Sequence, residues 1–158
     1  MAHETILVID DEALIRRTVG KRLQSAGYDV LEAETGQQAL ERAATGVDLA
    51  ILDYRLPDID GLAVLKQLKQ LDPDILVILL TAYANVESAV SAMKLGAFHF
   101  LNKPFDLEAL VALVEQALET TQLRREVTEL RADRELFRNA ALALLAQVNE
   151  QKLPSMDL

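Results

Sequence analysis

Cysteine is absent from the sequence, which excludes disulfides and thiolate metal ligands. Histidine is scarce: His3 and His99 are the only two, too few for a histidine-based zinc site. Positive charge is the minority sign, with 16 Lys and Arg against 25 Asp and Glu and a net charge of −9. No basic cluster is dense enough to follow a phosphate backbone, so direct nucleic-acid binding by these residues is not expected. Long apolar runs are missing as well. The run that follows Met1-Ala2-His3-Glu4, and ILVILL at 75–80, are far too short to span a bilayer, and no basic start marks a signal peptide. The expectation is a soluble, cytoplasmic protein with no membrane partner.

What is present reads as an ordinary globular protein, 51% hydrophobic and 26% charged, and 158 residues suffice for one domain with a core plus something extra. The first 105 residues alternate between two textures. Short apolar, β-branched runs occur at TILVI (5–9), YDVLEA (28–33), DLAIL (48–52), DILVILL (74–80) and FHFL (98–101). Between them lie segments of helical period, such as Ile15, Val19 and Leu23, then Leu62, Leu65 and Leu68, then Val86, Val90 and Met93, with Met93 expected in the core. Gly27, Gly46 and Gly96 sit where left-handed helix C-caps are wanted. Five strands alternating with five helices predict a doubly wound α/β domain, a parallel sheet covered on both faces, over residues 1–120.

From Asp106 to Pro154 neither glycine nor proline appears. That stretch predicts one helix of about 45 residues, roughly 70 Å. Its first third carries Leu107, Leu110, Val111 and Val114, a face able to close the sheet. Beyond it, Leu123, Val127, Leu130, Phe137, Ala141, Leu144 and Val148 fall at a and d of a heptad frame, interrupted by Arg134 at one a position. Glu119, Glu126 and Asp133 fall at g, with Arg124, Arg131 and Arg138 at the following e positions. That charge pattern is what a parallel two-stranded coiled coil uses across its seam. Residues 121–158 are therefore expected to form a helical coiled-coil extension that continues the last helix of the domain.

The ends of the strands carry the chemistry. The first runs into Asp10, Asp11 and Glu12, the third ends at Asp53, the fourth at Thr81, and Lys103 follows the fifth. Open α/β sheets bind ligands at the carboxyl ends of their strands. With strand order 2-1-3-4-5, common in small flavodoxin-like folds, Asp10, Asp11 and Asp53 converge at the switch point, with Thr81 and Lys103 on the far flank. Two carboxylates about 4 Å apart repel by roughly 4 kcal/mol at an effective dielectric of about 20. Without histidine or thiolate, the cation that best relieves this is Mg²⁺ keeping several waters. Carboxylates around Mg²⁺ beside a lysine and a hydroxyl are equipment for phosphoryl transfer. Taken singly, each residue has a plainer explanation: Asp10 or Asp11 as a helix cap, Asp53, Asp58 and Asp60 as turn or cap residues, Lys103 as a solvated charge. Their meeting at one edge is what argues for a site.

These segments, VIDDE, LDYRLPDIDG, LTAY and GAFHFLNKPF in that order, resemble the receiver domain of bacterial two-component response regulators over residues 4 to about 120. The resemblance implies that Asp53 accepts a phosphoryl group from a sensor histidine kinase. It implies a Mg²⁺ site of Asp11 directly, Asp10 mainly through water, Asp53, and the main-chain carbonyl of Arg55. Thr81 would hydrogen-bond the phosphoryl oxygen, and Lys103 would ion-pair with it. Phe100 matches the aromatic that turns inward with the threonine, and Pro104 implies a cis Lys-Pro bond. Arg55 and Tyr83 flank the pocket and would influence the lifetime of the acyl phosphate. His99 stands where this family often has an acid, outside the pocket.

The extension makes the chain most similar to the receiver plus linker of NtrC/DctD-type sigma-54-dependent activators, although no Walker-type loop and no helix-turn-helix is recognisable here. The implied output is a transcription-activating pathway controlled through a homodimer. That dimer would be built from the face of the fourth helix, fifth strand and fifth helix, together with the C-terminal helix. Such a protein is a phosphoacceptor rather than an enzyme. The alternative is a Mg²⁺-dependent phosphatase of the haloacid-dehalogenase type, whose nucleophile is typically followed two residues later by a second acid. Here the residue two after Asp53 is Arg55.

Overall fold

The computed structural model describes residues 3–82 and 86–152. The elements are β1 (Thr5–Ile9), α1 (Ala13–Ser25), β2 (Asp29–Ala33), α2 (Gly36–Ala43), β3 (Leu49–Asp53), α3 (Gly61–Leu71), β4 (Leu76–Thr81), α4 (Val86–Lys94), β5 (His99–Asn102) and α5 (Leu107–Lys152). The sheet has five strands, all parallel, in the order β2-β1-β3-β4-β5. This is the doubly wound, flavodoxin-like arrangement expected from the sequence, with the switch point between β1 and β3.

The sheet works because its central strands are apolar on both sides. β3 and β4 are buried along their whole length. Side chains alternate across a strand, so each one feeds two cores. Ile6, Val8, Leu49, Ile51, Ile78 and Leu80 pack under Val19 and Leu23 of α1 and Leu110, Val111 and Val114 of α5. Leu7, Ile9, Ala50, Leu52, Val77 and Leu79 pack on the other side against Ala39 of α2, Val64, Leu65 and Leu68 of α3, and Ala92 of α4. Truncating any of these leucines to alanine removes transfer energy and leaves a cavity, about 3 kcal/mol each. Gly27, Gly46 and Gly96 take the left-handed φ expected of them.

One expectation fails on α4. Met93 is not core: it is 47% exposed, and Val90 is 45% exposed. The helix buries the small Ala92, and Leu95 just past its end packs partly against the same core, so Val90 and Met93 face away. With Ala89, Lys94 and Phe100 they line an open apolar groove. Periodicity identifies an apolar face without saying which stripe of it the fold covers.

The chain divides into two compact units, Met1–Leu118 and Glu119–Leu158. In the second, Leu123, Val127, Leu130, Phe137, Leu144 and Val148 are all exposed. No helix among the described residues is long and apolar enough to cross a membrane.

Candidate functional site

Strand alternation sets the site. Ile6 and Val8 lead to position 10, Leu49 and Ile51 to position 53, and Leu101 to position 103, all on the α1/α5 face of the sheet. Val77 and Leu79 lead to position 81, on the opposite face, which is also the face that receives Phe100. Asp10, Asp53 and Lys103 thus meet at the carboxyl edge from one side, and Thr81 and Phe100 belong to the other.

Asp10 is fully buried. Its carboxylate accepts from the Glu12 N–H at 2.9 Å and from Lys103 Nζ at 2.8 Å. Its main chain is fixed as well, since its N–H donates to the Ala33 carbonyl at 3.1 Å and its carbonyl accepts from Arg16 Nη1 at 2.8 Å. Glu12 is the N-cap position of α1 and makes no side-chain cap, so neither Asp10 nor Asp11 serves as the cap there.

Lys103 Nζ also lies 3.3 Å from Asp53 Oδ2. Asp53, 6% exposed, accepts from the Arg55 N–H at 3.3 Å. One ammonium is thereby shared between two buried carboxylates. Burial, then the charge of Asp10, pushes the Asp53 carboxyl up to about 6 from 3.8, against the opposing pull of Lys103 and the Arg55 N–H. Burial pulls the Lys103 ammonium down, but hydrogen bonding and attraction from Asp10 and Asp53 more than offset it, leaving its pKa raised. Two carboxylates thus share one ammonium, so with both ionised the group carries one negative charge more than Lys103 neutralises.

Among the described residues, carboxylate oxygens of Asp10, Asp11 and Glu12 lie within 4.8 Å of one another, with Asp10 buried and the other two exposed. Asp53 is linked to Asp10 through the Lys103 ammonium that pairs with both. An all-oxygen donor set carrying surplus negative charge fits a hard dication such as Mg²⁺ and offers nothing to softer metals.

Thr81 ends β4, 3% exposed, and its carbonyl accepts from the Lys103 N–H at 2.8 Å. Phe100 is half-buried beside the α4 groove. His99 is exposed in β5, its ring tilted against Phe100 at 5.7 Å. The Lys103-Pro104 bond is cis. Tyr83 lies outside the described residues. In the loop after β3, Gly61 donates to the Tyr54 carbonyl at 3.0 Å; a Cβ there would meet that oxygen at 2.5 Å, so only glycine permits the closure.

Two residues escaped the sequence reading. Arg16 is 8% exposed; besides gripping Asp10 it pairs with Glu32 of β2 at 3.5 Å and with Glu34, just past β2, at 3.3 Å. A buried guanidinium is tolerated only when paired in this way. The available signal was its register, three and seven residues before Val19 and Leu23 on the buried face of α1. The second is Asp58, expected to be a local turn residue. It accepts instead from the Gly36 and Gln37 N–H groups at the start of α2.

The sequence matches the family model described as response regulator receiver domain over residues 6–115. It is 40% identical over 127 residues to the DNA-binding transcriptional regulator NtrC of Escherichia coli (strain K12), covering 80% of this chain and 27% of that protein. The chain spans less than a third of the length of the curated relatives it matches. A CheY-like response regulator receiver domain protein from Methanospirillum hungatei JF-1 is similar at a TM-score of 0.76 and 27% identity, covering 78% of this chain and 99% of that one. A response regulator protein from Burkholderia pseudomallei, solved with a phosphorylated aspartic acid, calcium ion and citrate, is similar at a TM-score of 0.67 and 32% identity, covering 77% of this chain and 72% of that one.

Proposed function

The chain belongs to the response regulator receiver domain family of two-component systems, and from that membership we propose that Asp53 is its phosphoacceptor, charged by a sensor histidine kinase. The observation that carries the reading is the Lys103 ammonium held 2.8 Å from Asp10 and 3.3 Å from Asp53, at the ends of neighbouring strands. The phosphorylated aspartic acid of the Burkholderia pseudomallei relative supports it by analogy.

A carboxylate oxygen of Asp53 attacks the phosphorus of a phosphohistidine in line. The new O–P bond forms as the P–N bond breaks, and the departing imidazole takes up a proton. Lys103 ion-pairs with the incoming phosphoryl oxygens, and the Thr81 hydroxyl donates to one of them. Asp11 directly, Asp10 through water, Asp53 and the Arg55 carbonyl would hold Mg²⁺. When bound, the ion neutralises the carboxylates and the developing charge on the phosphoryl group. Asp10, enclosed by Arg16, Glu12 and Lys103, mainly keeps the lysine aimed at Asp53. The chain promotes only its own phosphorylation and dephosphorylation. No observation favours the phosphatase alternative.

The readout we propose is a homodimer. Drawing Thr81 toward the phosphoryl group frees space for Phe100, which alters the groove it shares with Val90 and Met93. The heptads of residues 121–158 supply a second, parallel seam, their a and d residues being exposed in the single chain. The relative described as a DNA-binding transcriptional regulator supports a transcription-regulating output.

Fluorine NMR with beryllofluoride and Mg²⁺ tests the acceptor. Bound fluoride resonances are expected in the wild type and absent from Asp53→Ala; identical spectra from both would overturn the assignment.

A further inference from the structure

The loop between β3 and α3 carries the phosphoacceptor at its start and Arg55 within it, and it is fastened at two levels. Its base is closed by the bridge between Arg55 and Asp60 and by the Gly61 N–H on the Tyr54 carbonyl. Its tip is fastened to a different part of the fold. Asp58 Oδ1 accepts from the Gly36 N–H at 2.8 Å and Oδ2 from the Gln37 N–H at 3.0 Å.

Helix α2 does not need this contact for its own cap. Thr35 already caps it, accepting from the Gln38 N–H at 3.1 Å. Gln37 and Asp58 are exposed, so water could satisfy the Gln37 N–H, whereas Gly36 is buried and its N–H relies on Asp58. What the bidentate contact adds is a fixed separation between α2 and the loop. The neighbouring packing agrees: a Cβ on Gly36 would lie 3.1 Å from Ile59 and 2.9 Å from Val64, so the helix start and the loop tip are in close contact. Those N–H groups hold the Asp58 carboxyl below the ordinary aspartate range.

Arg55 belongs to the base fastening, three residues before the clamped Asp58. Its N–H donates to Asp53 Oδ1 at 3.3 Å, and its carbonyl is the main-chain donor assigned above to the cation. We propose that Asp58 is a positioning residue for the cation site: by clamping the loop tip to α2, it sets the two peptide groups that flank Arg55, one giving its N–H to Asp53 and the other its carbonyl to the ion. This rests on the receiver reading of the site.

Calorimetric titration of the full chain with Mg²⁺, alongside thermal melts, tests the clamp. Asp58→Ala should weaken Mg²⁺ binding about tenfold, as loss of an outer partner typically does, and Asp58→Asn, which keeps one acceptor oxygen, should fall between it and the wild type. Thr35→Ala removes a cap from the same helix without releasing the loop. It should lower Tm and leave the affinity unchanged, separating the clamp from simple loss of stability. Wild-type affinity in Asp58→Ala, or in Asp58→Asn if the alanine variant does not fold, overturns the clamp alone. An absence of Mg²⁺ binding by the wild type overturns the cation site and the clamp with it.

Discussion

Lys103, just beyond β5, reaches past β4 and β3 to place its ammonium 2.8 Å from Asp10 at the end of β1. The two residues are separated by 93 positions in sequence. Only the strand order β2-β1-β3-β4-β5 and a shared side-chain parity bring them together. Asp53 lies on the way, 3.3 Å from the same nitrogen.

Lys103→Met leaves Asp10 and Asp53 facing each other with no cation. In EDTA the variant should lose about 2 kcal/mol of stability, since removing one partner strands a buried charge. Mg²⁺ should restore much of that loss, and phosphorylation should still be slower for want of the ion pair. Urea denaturation with and without Mg²⁺ measures the first effect. A stability equal to the wild type in EDTA would contradict the shared-ammonium arrangement.

The Asp53 carboxyl titrates at about 6 in the folded chain against an ordinary 3.8. A raised acid pKa favours folding most when the group is protonated, so this contribution is complete below the ordinary value and disappears as pH rises through about 6. Asp53→Asn, which never ionises, should match the wild type in the acid range and exceed it near pH 7.5. The gain should be on the order of 1–2 kcal/mol after allowance for solvent screening at the open edge of the pocket. Metal-free denaturation curves across the pH range check this; a difference that is constant with pH contradicts it.

Mg²⁺ at about one hundred times its dissociation constant should stabilise the fold by about 2.7 kcal/mol, several degrees in Tm. Asp11→Asn should remove most of that shift while changing the metal-free Tm little, because Asp11 is exposed. Equal shifts in both proteins would place the ion elsewhere.

Leu130 is 67% exposed in the single chain and sits at a d position of the heptads. If the heptads form the proposed seam, Leu130→Asp should be monomeric in sedimentation equilibrium where the wild type is dimeric, and should leave beryllofluoride binding intact. A wild type that is monomeric with and without beryllofluoride removes the dimer from the account.

Much of this was legible in the sequence because strands and acids coincide there. Runs such as ILVI and LAIL end abruptly in carboxylates, which marks Asp10, Asp11 and Asp53 as one group; Lys103, expected on the far flank with Thr81, instead reaches across to Asp10 and Asp53. The alternation of strands and helices implies the parallel sheet, while its expected order rests on the one common in small folds of this kind. Arg16 and Asp58 were not legible in their roles, because each acts on a main-chain group brought near by the fold: the Asp10 carbonyl in one case, the α2 N–H groups in the other. Glu12 was visible as a third acid, but its place beside Asp10 and Asp11 depends on how the chain turns into α1. The exposure of Val90 and Met93 was hidden for a different reason. An apolar stripe looks the same in sequence whether its own domain covers it or a partner does.

The central claim is tested most directly by treating the chain with a small-molecule phosphodonor and Mg²⁺, reducing the acyl phosphate with borohydride, and mapping the product by mass spectrometry. One phosphoryl group per chain is expected, with reductive conversion confined to Asp53 and lost in EDTA. Modification at another residue, or labelling of Asp53 that persists undiminished without the metal, would contradict it.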